Sequence, residues 1–371
     1  MRLSRITLYP SPIALTEPFV ISLGPLTHAN NVLVKIESDT GLVGWGEASP
    51  FPTIHGETMA GCMAVGAFLA RQLLGVDPRD PETFTDRMDC AITGNACIKS
   101  AFDMACYDLA AQDAGQPLYT YLGGKNDKAL HTDYTVSLGP IDKMVDKARW
   151  IKARGFPVVK LKLGEGPQDA ERVRMISKEV GPDFPLRLDA NQGWTTGLAI
   201  ELLQGMAGYN IQHCEAPIPR RDFLDLPRIR AASPIPIMAD EACWDHLDAQ
   251  RLINLKAIDR INIKISKSGG LFKALKILQM AEANDMPVQI GGFLESRLGF
   301  SAAAHLALCS NQAVFYDFDT PLMQSQDPIK GGIVYGAGGR VTLPEGHGLG
   351  AMPEADYLRN LEESGSTVCV Q

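Results

Sequence analysis

Residues 158–163 read Val158-Val159-Lys160-Leu161-Lys162-Leu163, a short apolar run that carries two lysines at alternate positions. Side chains in a strand alternate between two faces, so Lys160 and Lys162 are predicted to point the same way. Two ammonium groups beside a core are unfavourable unless anionic groups lie opposite them. The stretch therefore predicts a buried strand that faces carboxylates supplied by other parts of the chain.

Apolar runs of the same kind recur along the middle of the chain, each followed by a helix-like stretch. They lie at intervals of 24 to 27 residues, around Thr135, Lys160, Arg187, His213, Met238, Asn262, Gln289 and Tyr316. Eight strand-then-helix units at a nearly fixed period predict an α/β fold, a (β/α)8-type barrel.

The rest of the chain is predicted to flank this barrel. Residues 1–125 combine alternating strand patterns with three helical stretches, which predicts an α+β capping domain. The barrel is assigned to residues 126–325, and residues 326–371 are expected to return to the capping domain and complete it. Segments 14–29 and 49–56 carry apolar residues among glycines and prolines, so we predict that they are loops forming a lid.

Composition limits the classes of partner. The chain has 371 residues, 45% hydrophobic and 21% charged, with a formal net charge of −8, which argues against nucleic-acid and anionic membrane surfaces. Its eight cysteines show no CxxC spacing, and no segment resembles a signal peptide or a membrane span. We expect a cytoplasmic protein, a homo-oligomer, whose partner is a small molecule.

Ionisable residues stand at nearly every predicted strand end. Active sites of (β/α)8 barrels lie at the carboxyl ends of the strands. In strand order these residues are Lys160, Lys162, Asp189, Glu215, Asp240, Lys264, Asp317 and Asp319. Each alone is explained by a solvated strand face or a helix cap. Their joint occurrence at the barrel period indicates one site.

The three acids on successive strands predict a metal site. Asp189, Glu215 and Asp240 offer only oxygen ligands, which suit a hard cation such as Mg²⁺, one per subunit. Zinc would favour nitrogen or sulfur ligands, and the neighbouring His213 and Cys214 are interpreted as packing residues.

Lysines beside a metal-bound carboxylate indicate proton transfer at carbon. The metal would stabilise the enediolate formed when the carbon next to a substrate carboxylate loses its proton. Lys162 and Lys264 are placed to approach that carbon from opposite faces, so that one removes the proton and the other returns it. Lys160 would stay protonated and depress the pKa of Lys162.

These motifs resemble the enolase superfamily, and within it the muconate lactonizing enzyme subgroup. The likeness covers nearly the whole chain and includes Lys160-Leu161-Lys162, Asp189-Ala190-Asn191, Glu215-Ala216-Pro217, Asp240-Glu241-Ala242, Asn262-Ile263-Lys264, Ser268-Gly269-Gly270 and, before the barrel, Gly44-Trp45-Gly46-Glu47-Ala48. Mandelate racemase-type members use a histidine base on the seventh strand, but residues 288–292 here read Val-Gln-Ile-Gly-Gly.

The resemblance implies one of several reactions that share the two-lysine site. Asp317-Phe318-Asp319 resembles the DxD motif of dipeptide epimerases, such as the L-Ala-D/L-Glu epimerases, in which the α-ammonium group of a dipeptide would sit between the two acids. An N-acylated amino acid or a muconate would leave those acids unpaired. The resemblance therefore favours epimerisation at the carboxy-terminal residue of a dipeptide.

The remaining pocket residues indicate the side chains that the site accepts. Phe19, Phe51, Ile54 and Phe293 are apolar, which favours hydrophobic dipeptides, and Thr135 and Ser296 are expected to contact substrate. Asn191, Glu241 and Lys267 are expected to support the metal ligands and lysines.

Other functions remain open at this point. An N-acylamino acid racemase, an o-succinylbenzoate synthase or a muconate-type cycloisomerase would share the lysines and the metal ligands. A non-catalytic barrel protein is a further alternative, and it predicts no exchange of a substrate α-hydrogen with solvent.

Overall fold

The computed structural model describes all residues, 1–371. Its strands are β1 (Leu3–Ile21), β2 (Gly24–Ser38), β3 (Val43–Ala48), β4 (Leu130–His131), β5 (Tyr134–Val136), β6 (Val159–Lys162), β7 (Leu186–Asp189), β8 (Ile211–Glu215), β9 (Ile237–Ala239), β10 (Arg260–Lys264), β11 (Val288–Gly291), β12 (Ala313–Tyr316), β13 (Ile329–Gly331), β14 (Val334–Tyr335), β15 (Arg340–Thr342), β16 (Ala351–Pro353) and β17 (Val368–Val370).

The α-helices are α1 (Met59–Leu73), α2 (Pro81–Ala91), α3 (Ala96–Asp113), α4 (Leu118–Tyr121), α5 (Ile141–Ala153), α6 (Asp169–Val180), α7 (Thr196–Gly205), α8 (Leu226–Ala232), α9 (His246–Asn254), α10 (Ile265–Ser268), α11 (Leu271–Ala283), α12 (Arg297–Ala307) and α13 (Ala355–Glu363). Short 3-10 helices span Arg220–Asp225, Thr320–Met323 and Ala337–Gly339.

The amino-terminal part is an antiparallel sheet with helices packed on it. Its strand order is β17-β1-β2-β3, so the last strand of the chain pairs with the first. Helix α3 is buried from Cys97 to Ala111 because it lies between this sheet and the barrel. It reaches β3 closely since Gly44 and Gly46 carry no side chain there.

The predicted lid loop at 14–29 is instead the end of a long β-hairpin. Strands β1 and β2 stay paired from Ala14 opposite His28 to Ile21 opposite Gly24, with a register shift between Ala14 and Phe19. Gly24 adopts φ +118°, so the glycine that indicated a loop serves the tight turn. Proline lacks a backbone N–H group, and this is tolerated here because only two strands pair in this part of the hairpin. Residues 49–56, by contrast, form neither strand nor helix.

The central part confirms the predicted barrel. Eight parallel strands follow each other in the order β5-β6-β7-β8-β9-β10-β11-β12. In the fourth unit a 3-10 helix precedes the short α8, which explains why its helical pattern is weak. The first and last strands meet at a seam, where Asp133 N donates to Tyr316 O at 3.2 Å and Thr135 N donates to Asp319 Oδ2 at 2.6 Å.

The carboxy-terminal segment contacts both parts of the molecule. Strand β15 pairs with β4 and β14, β13 pairs with β16, and β17 joins the amino-terminal sheet. One core cluster of 96 buried apolar residues extends through the sheet, the helices and the barrel. No helix has both the length and the hydropathy needed to cross a membrane, and all eight cysteines are free thiols. The exact domain boundaries stay a prediction.

Candidate active site

Lys160 lies at the centre of the charged residues in the barrel mouth. It is buried, and its Nζ lies 2.6 Å from Asp317 Oδ2, 2.8 Å from Glu215 Oε2 and 3.4 Å from Asp189 Oδ2. Burial would lower the pKa of Lys160, but these carboxylates raise it well above its ordinary value. Lys160 is therefore held as a cation that links the acids of strands β7 and β8 to Asp317.

Lys162 and Lys264 line the same cavity, as the sequence predicted. Lys162 Nζ lies 2.6 Å from Asp189 Oδ2 and 5.6 Å from the centre of the Phe19 ring. Lys264 Nζ lies 2.8 Å from Asp240 Oδ2 and 4.4 Å from the centre of the Phe293 ring. Each amine thus has a carboxylate on one side and an aromatic face on another.

The amine of Lys264 is strongly held by its neighbours. Burial lowers the pKa of Lys264, whereas Asp240 and Glu215 raise it, and the result lies above its ordinary value. Asp240 and Glu215 therefore favour the protonated form of Lys264.

Asp189, Glu215 and Asp240 are fully buried at the ends of β7, β8 and β9. Burial and the neighbouring Asp189 raise the pKa of Glu215 to about 6. Lysines hold the pKa of Asp189 and that of Asp240 below their usual range, although burial acts the other way. Ammonium groups therefore lie among three carboxylates that repel one another.

The surroundings of these acids fit a hard cation. Asn191 Oδ1 and Glu241 Oε2 are buried without a hydrogen-bond partner, and burial together with Asp240 raises the pKa of Glu241 to about 8. Unpaired buried oxygens beside three carboxylates indicate local excess of negative charge, which a divalent cation with oxygen ligands would reduce.

Of the three predicted supporting residues, Lys267 and Asn191 contact these acids directly, and Glu241 contacts Asn191. Lys267 donates to Asp240 Oδ1 at 2.7 Å and to the backbone oxygens of Asp240 and Asn262. Asn191 N donates to Asp189 Oδ1 at 2.9 Å, and its Nδ2 lies 3.5 Å from Glu241 Oε1. Asn191 adopts φ +40°, so the left-handed backbone turns its amide back onto Asp189.

Asp317 and Asp319 line the cavity at the barrel seam. Lys160 lowers the pKa of Asp317 to about 2 against the effect of burial. Burial and the nearby Asp317 raise the pKa of Asp319 to about 7. Thr135 also lines the cavity, and its backbone N–H holds Asp319 at 2.6 Å.

Apolar side chains cover the mouth of the barrel. Phe19, Phe51, Ile54 and Phe293 line the cavity as predicted, together with Ile21, Leu294 and Thr320, which were not predicted. The cavity measures about 30 Å³, room for one or two water molecules. A dipeptide therefore requires the hairpin or the 49–56 loop to move. Larger cavities of about 850 and 630 Å³ are lined by none of these lysines or acids.

Ser296 lies outside the cavity, contrary to the predicted substrate contact. Its hydroxyl donates to Glu47 Oε2 at 2.8 Å and also caps α12 by accepting from Leu298 N. The reason is its position at a helix N-terminus, whose free N–H groups need an acceptor. His213 and Cys214 are buried, and His213 stacks edge-on against Phe315, in agreement with packing roles.

Polar residues that hydrogen-bond to Glu215 were not predicted from the sequence. Asn262 Nδ2 donates to Glu215 Oε1 at 2.6 Å, and Gln289 Nε2 donates to Glu215 Oε2 at 3.3 Å. Asp133 was also missed. Asn262 precedes Lys264 by two residues and Asp133 precedes Thr135 by two, so strand alternation was a signal that could have identified both.

Family models match both parts of the chain. Residues 5–123 match the mandelate racemase / muconate lactonizing enzyme N-terminal domain, and residues 143–357 match the enolase C-terminal domain-like family. The chain is also 53% identical, over 98% of its length and 99% of the relative, to a D-Ala-D/L-Ala epimerase from Cytophaga hutchinsonii.

Solved structures of dipeptide epimerases are also similar to this chain. A dipeptide epimerase from Cytophaga hutchinsonii, complexed with Mg and D-Ala-L-Val, superimposes with a TM-score of 0.98 at 52% identity, with 100% of both chains covered. A dipeptide epimerase from Enterococcus faecalis, complexed with Mg and L-Leu-L-Tyr, reaches 0.92 at 37% identity, covering 95% of this chain and 99% of that one.

Proposed function

Because this chain belongs to the enolase superfamily, in its mandelate racemase and muconate lactonizing enzyme family, we propose that it is a dipeptide epimerase, an isomerase. The observation that carries the proposal is a single cavity lined by two lysines, Lys162 and Lys264, and by two acids, Asp317 and Asp319. Lysines are suited to move a proton at a substrate carbon, and the acids are suited to bind an α-ammonium group.

The cofactor is Mg²⁺, one per subunit, held by Asp189, Glu215 and Asp240. Relatives with this fold were crystallised with Mg and a dipeptide. When bound, the ion neutralises the substrate carboxylate and so acidifies the adjacent α-hydrogen. Lys160 stays protonated and adds positive charge to the same region. Asn191, Glu241 and Lys267 keep the ligands in place.

Lys162 and Lys264 exchange roles between the two directions of the reaction. One amine removes the α-proton of the carboxy-terminal residue, and the other amine donates a proton to the opposite face. Phe19 of the β1–β2 hairpin covers Lys162 and Phe293 covers Lys264, so these two rings keep water away from both amines.

The side chains favoured by the site are apolar and small to medium in size. Phe19, Phe51, Ile54 and Phe293 present no charge to the cavity. The relative with 53% identity is a D-Ala-D/L-Ala epimerase. The substrate of an N-acylamino acid racemase or of a cycloisomerase has no ammonium group that could bind Asp317 and Asp319.

A screen of dipeptides in ²H₂O tests the proposal. We expect mass spectrometry to find one deuterium at the carboxy-terminal α-carbon of Ala-Ala and similar apolar dipeptides. Label uptake confined to Xaa-Glu or to Arg- and Lys-containing dipeptides would refute the apolar preference. No uptake with any dipeptide would refute the activity and favour a non-catalytic barrel.

Variants of the two lysines test their roles. K162A and K264A should each lower epimerisation by at least about a thousandfold, the range of a lost general base. Each variant should still exchange the α-hydrogen of one epimer, a different epimer in each case, because the remaining amine reaches one face. Equal exchange of both epimers in either variant would contradict opposed lysines.

We also propose that the protein acts in the cytoplasm as a homo-oligomer. Free thiols at all eight cysteines support a reducing compartment. Light scattering of the purified protein would detect a monomer and so contradict the second part.

A further inference from the structure

Three carboxylates meet at the barrel seam, and two of them form the predicted ammonium site. Asp133, Asp317 and Asp319 each offer an oxygen within 4.8 Å of the other two. Asp133 and Asp319 are fully buried, and their Oδ1 atoms have no hydrogen-bond partner. Unpaired buried carboxylate oxygens are unfavourable, so this group requires positive charge nearby.

Two fixed cations face the three acids. Arg187 Nη1 lies 2.7 Å from Asp133 Oδ2, and Lys160 Nζ lies 2.6 Å from Asp317 Oδ2. Lys160 also lies 2.8 Å from Glu215, so its charge is shared with the metal ligands. Within ion-pair distance, the three carboxyl groups therefore meet only two cationic side chains. One missing positive charge matches a single ammonium group better than a second divalent ion.

Asp133 does not contact the substrate cavity. Asp317 and Asp319 line that cavity, whereas Asp133 lies behind them. Its partner Arg187 also donates to Tyr316 O at 3.0 Å, one residue before Asp317. Without Asp133, the charge of Arg187 would be free to neutralise the two aspartates that line the cavity.

We propose that Asp133 is a positioning residue that neutralises Arg187, and so keeps the acidic clamp of Asp317 and Asp319 one positive charge short. The clamp then selects a dipeptide with a free α-ammonium group over one with an acylated amine. This inference rests on the proposed function, because it concerns the amino end of the same substrate. Burial and the neighbouring Asp317 raise the pKa of Asp319 to about 7, and the contribution of Asp317 agrees with an excess of negative charge in the clamp.

The test compares Ala-Ala with N-acetyl-Ala-Ala by deuterium exchange in a set of charge variants. D133N leaves the positive charge of Arg187 uncompensated, so the ratio of the two kcat/KM values should fall at least about tenfold, through a higher KM for Ala-Ala. D133N/R187Q removes both charges, and its ratio should return to within about threefold of wild type, since the clamp is again one positive charge short.

Each result decides the inference. A fall of less than about tenfold in D133N, or a double variant whose ratio stays more than about threefold below wild type, overturns it. If D133N does not fold, R187Q serves as the reference, and adding D133N to it should lower the ratio. D108N removes a buried carboxylate far from the barrel mouth, so its lower stability should leave the ratio unchanged. Failure of the proposed function would appear in the wild-type enzyme itself, before any variant is compared.

Discussion

Glu47 shows how one buried side chain joins the capping sheet to the barrel. It lies in β3, and its carboxylate accepts from Ser296 N at 2.9 Å and from Gly299 N at 2.9 Å at the start of α12. Asn31 donates to the same carboxylate at 2.8 Å. Burial raises the pKa of Glu47 to about 7, because it favours the neutral carboxyl group. The hydrogen-bond donors act in the opposite direction and stabilise the carboxylate.

We expect E47A to lower the free energy of unfolding by about 3 kcal/mol, because at least two buried N–H groups lose their acceptor. E47Q keeps one acceptor oxygen and should cost less than half of that. Urea denaturation of both variants measures the difference. Equal losses would mean that Glu47 acts through its negative charge or through both carboxylate oxygens together, because glutamine keeps the packing and one acceptor.

At the scale of elements, the contact between β3 and α3 depends on the absence of a side chain. A Cβ atom at Gly46 would lie 1.9 Å from Ala101 O, and one at Gly44 would lie 2.2 Å from Ala105 O. Neither glycine has a positive φ, so the requirement is for space alone. This close approach seats α3 on the sheet, and Asp103 of α3 then holds the backbone N–H of Leu271 at the start of α11.

G46A should therefore lower the free energy of unfolding by about 3 kcal/mol, since backbone must move to admit one methyl group. G197A in α7 is a matched control: nothing lies within 4 Å of its new Cβ. That control should be neutral or more stable by up to about 1 kcal/mol, because alanine favours the helix. Thermal unfolding of both proteins checks this, and a neutral G46A would refute the close approach.

At the scale of the whole molecule, His305 links three separate parts of the chain. From α12 its Nδ1 accepts from Tyr119 N of α4 at 3.1 Å, and its Nε2 lies 3.2 Å from Leu349 O in the carboxy-terminal segment. Burial lowers the pKa of His305 to about 4. The native protein therefore holds this ring neutral under conditions in which an unfolded histidine is charged.

The contribution of His305 to the free energy of unfolding should fall as the pH is lowered from about 6.5 to about 4, because only the unfolded state takes up a proton on this ring in that range. The loss reaches up to about 3 kcal/mol, and the contribution is complete above pH 6.5. H305Q keeps a donor and an acceptor but cannot titrate. Denaturation at several pH values should show the stability of the wild type falling relative to that of H305Q between pH 6.5 and 4; a constant difference between the two proteins would contradict the assignment.

Local patterns in the chain determined much of this protein. The period of the apolar runs predicted the barrel, and alternation within a strand placed Lys160 with Lys162. Alternation also predicted that Asp317 and Asp319 line one cavity, which they do although β12 ends at Tyr316. Both patterns depend on the geometry of a single element, so they can be read without knowing what packs against it.

Contacts between distant segments were decided only by the tertiary structure. Residues 14–29 form a hairpin because their backbone groups pair with each other, although their glycines and prolines indicated a loop. Ser296 binds Glu47, which lies 249 residues away along the chain. The closing of the barrel brings Asp133 against Asp317 and Asp319. The periodic pattern of a single element does not encode these tertiary contacts, because they depend on which strands become neighbours when the barrel closes.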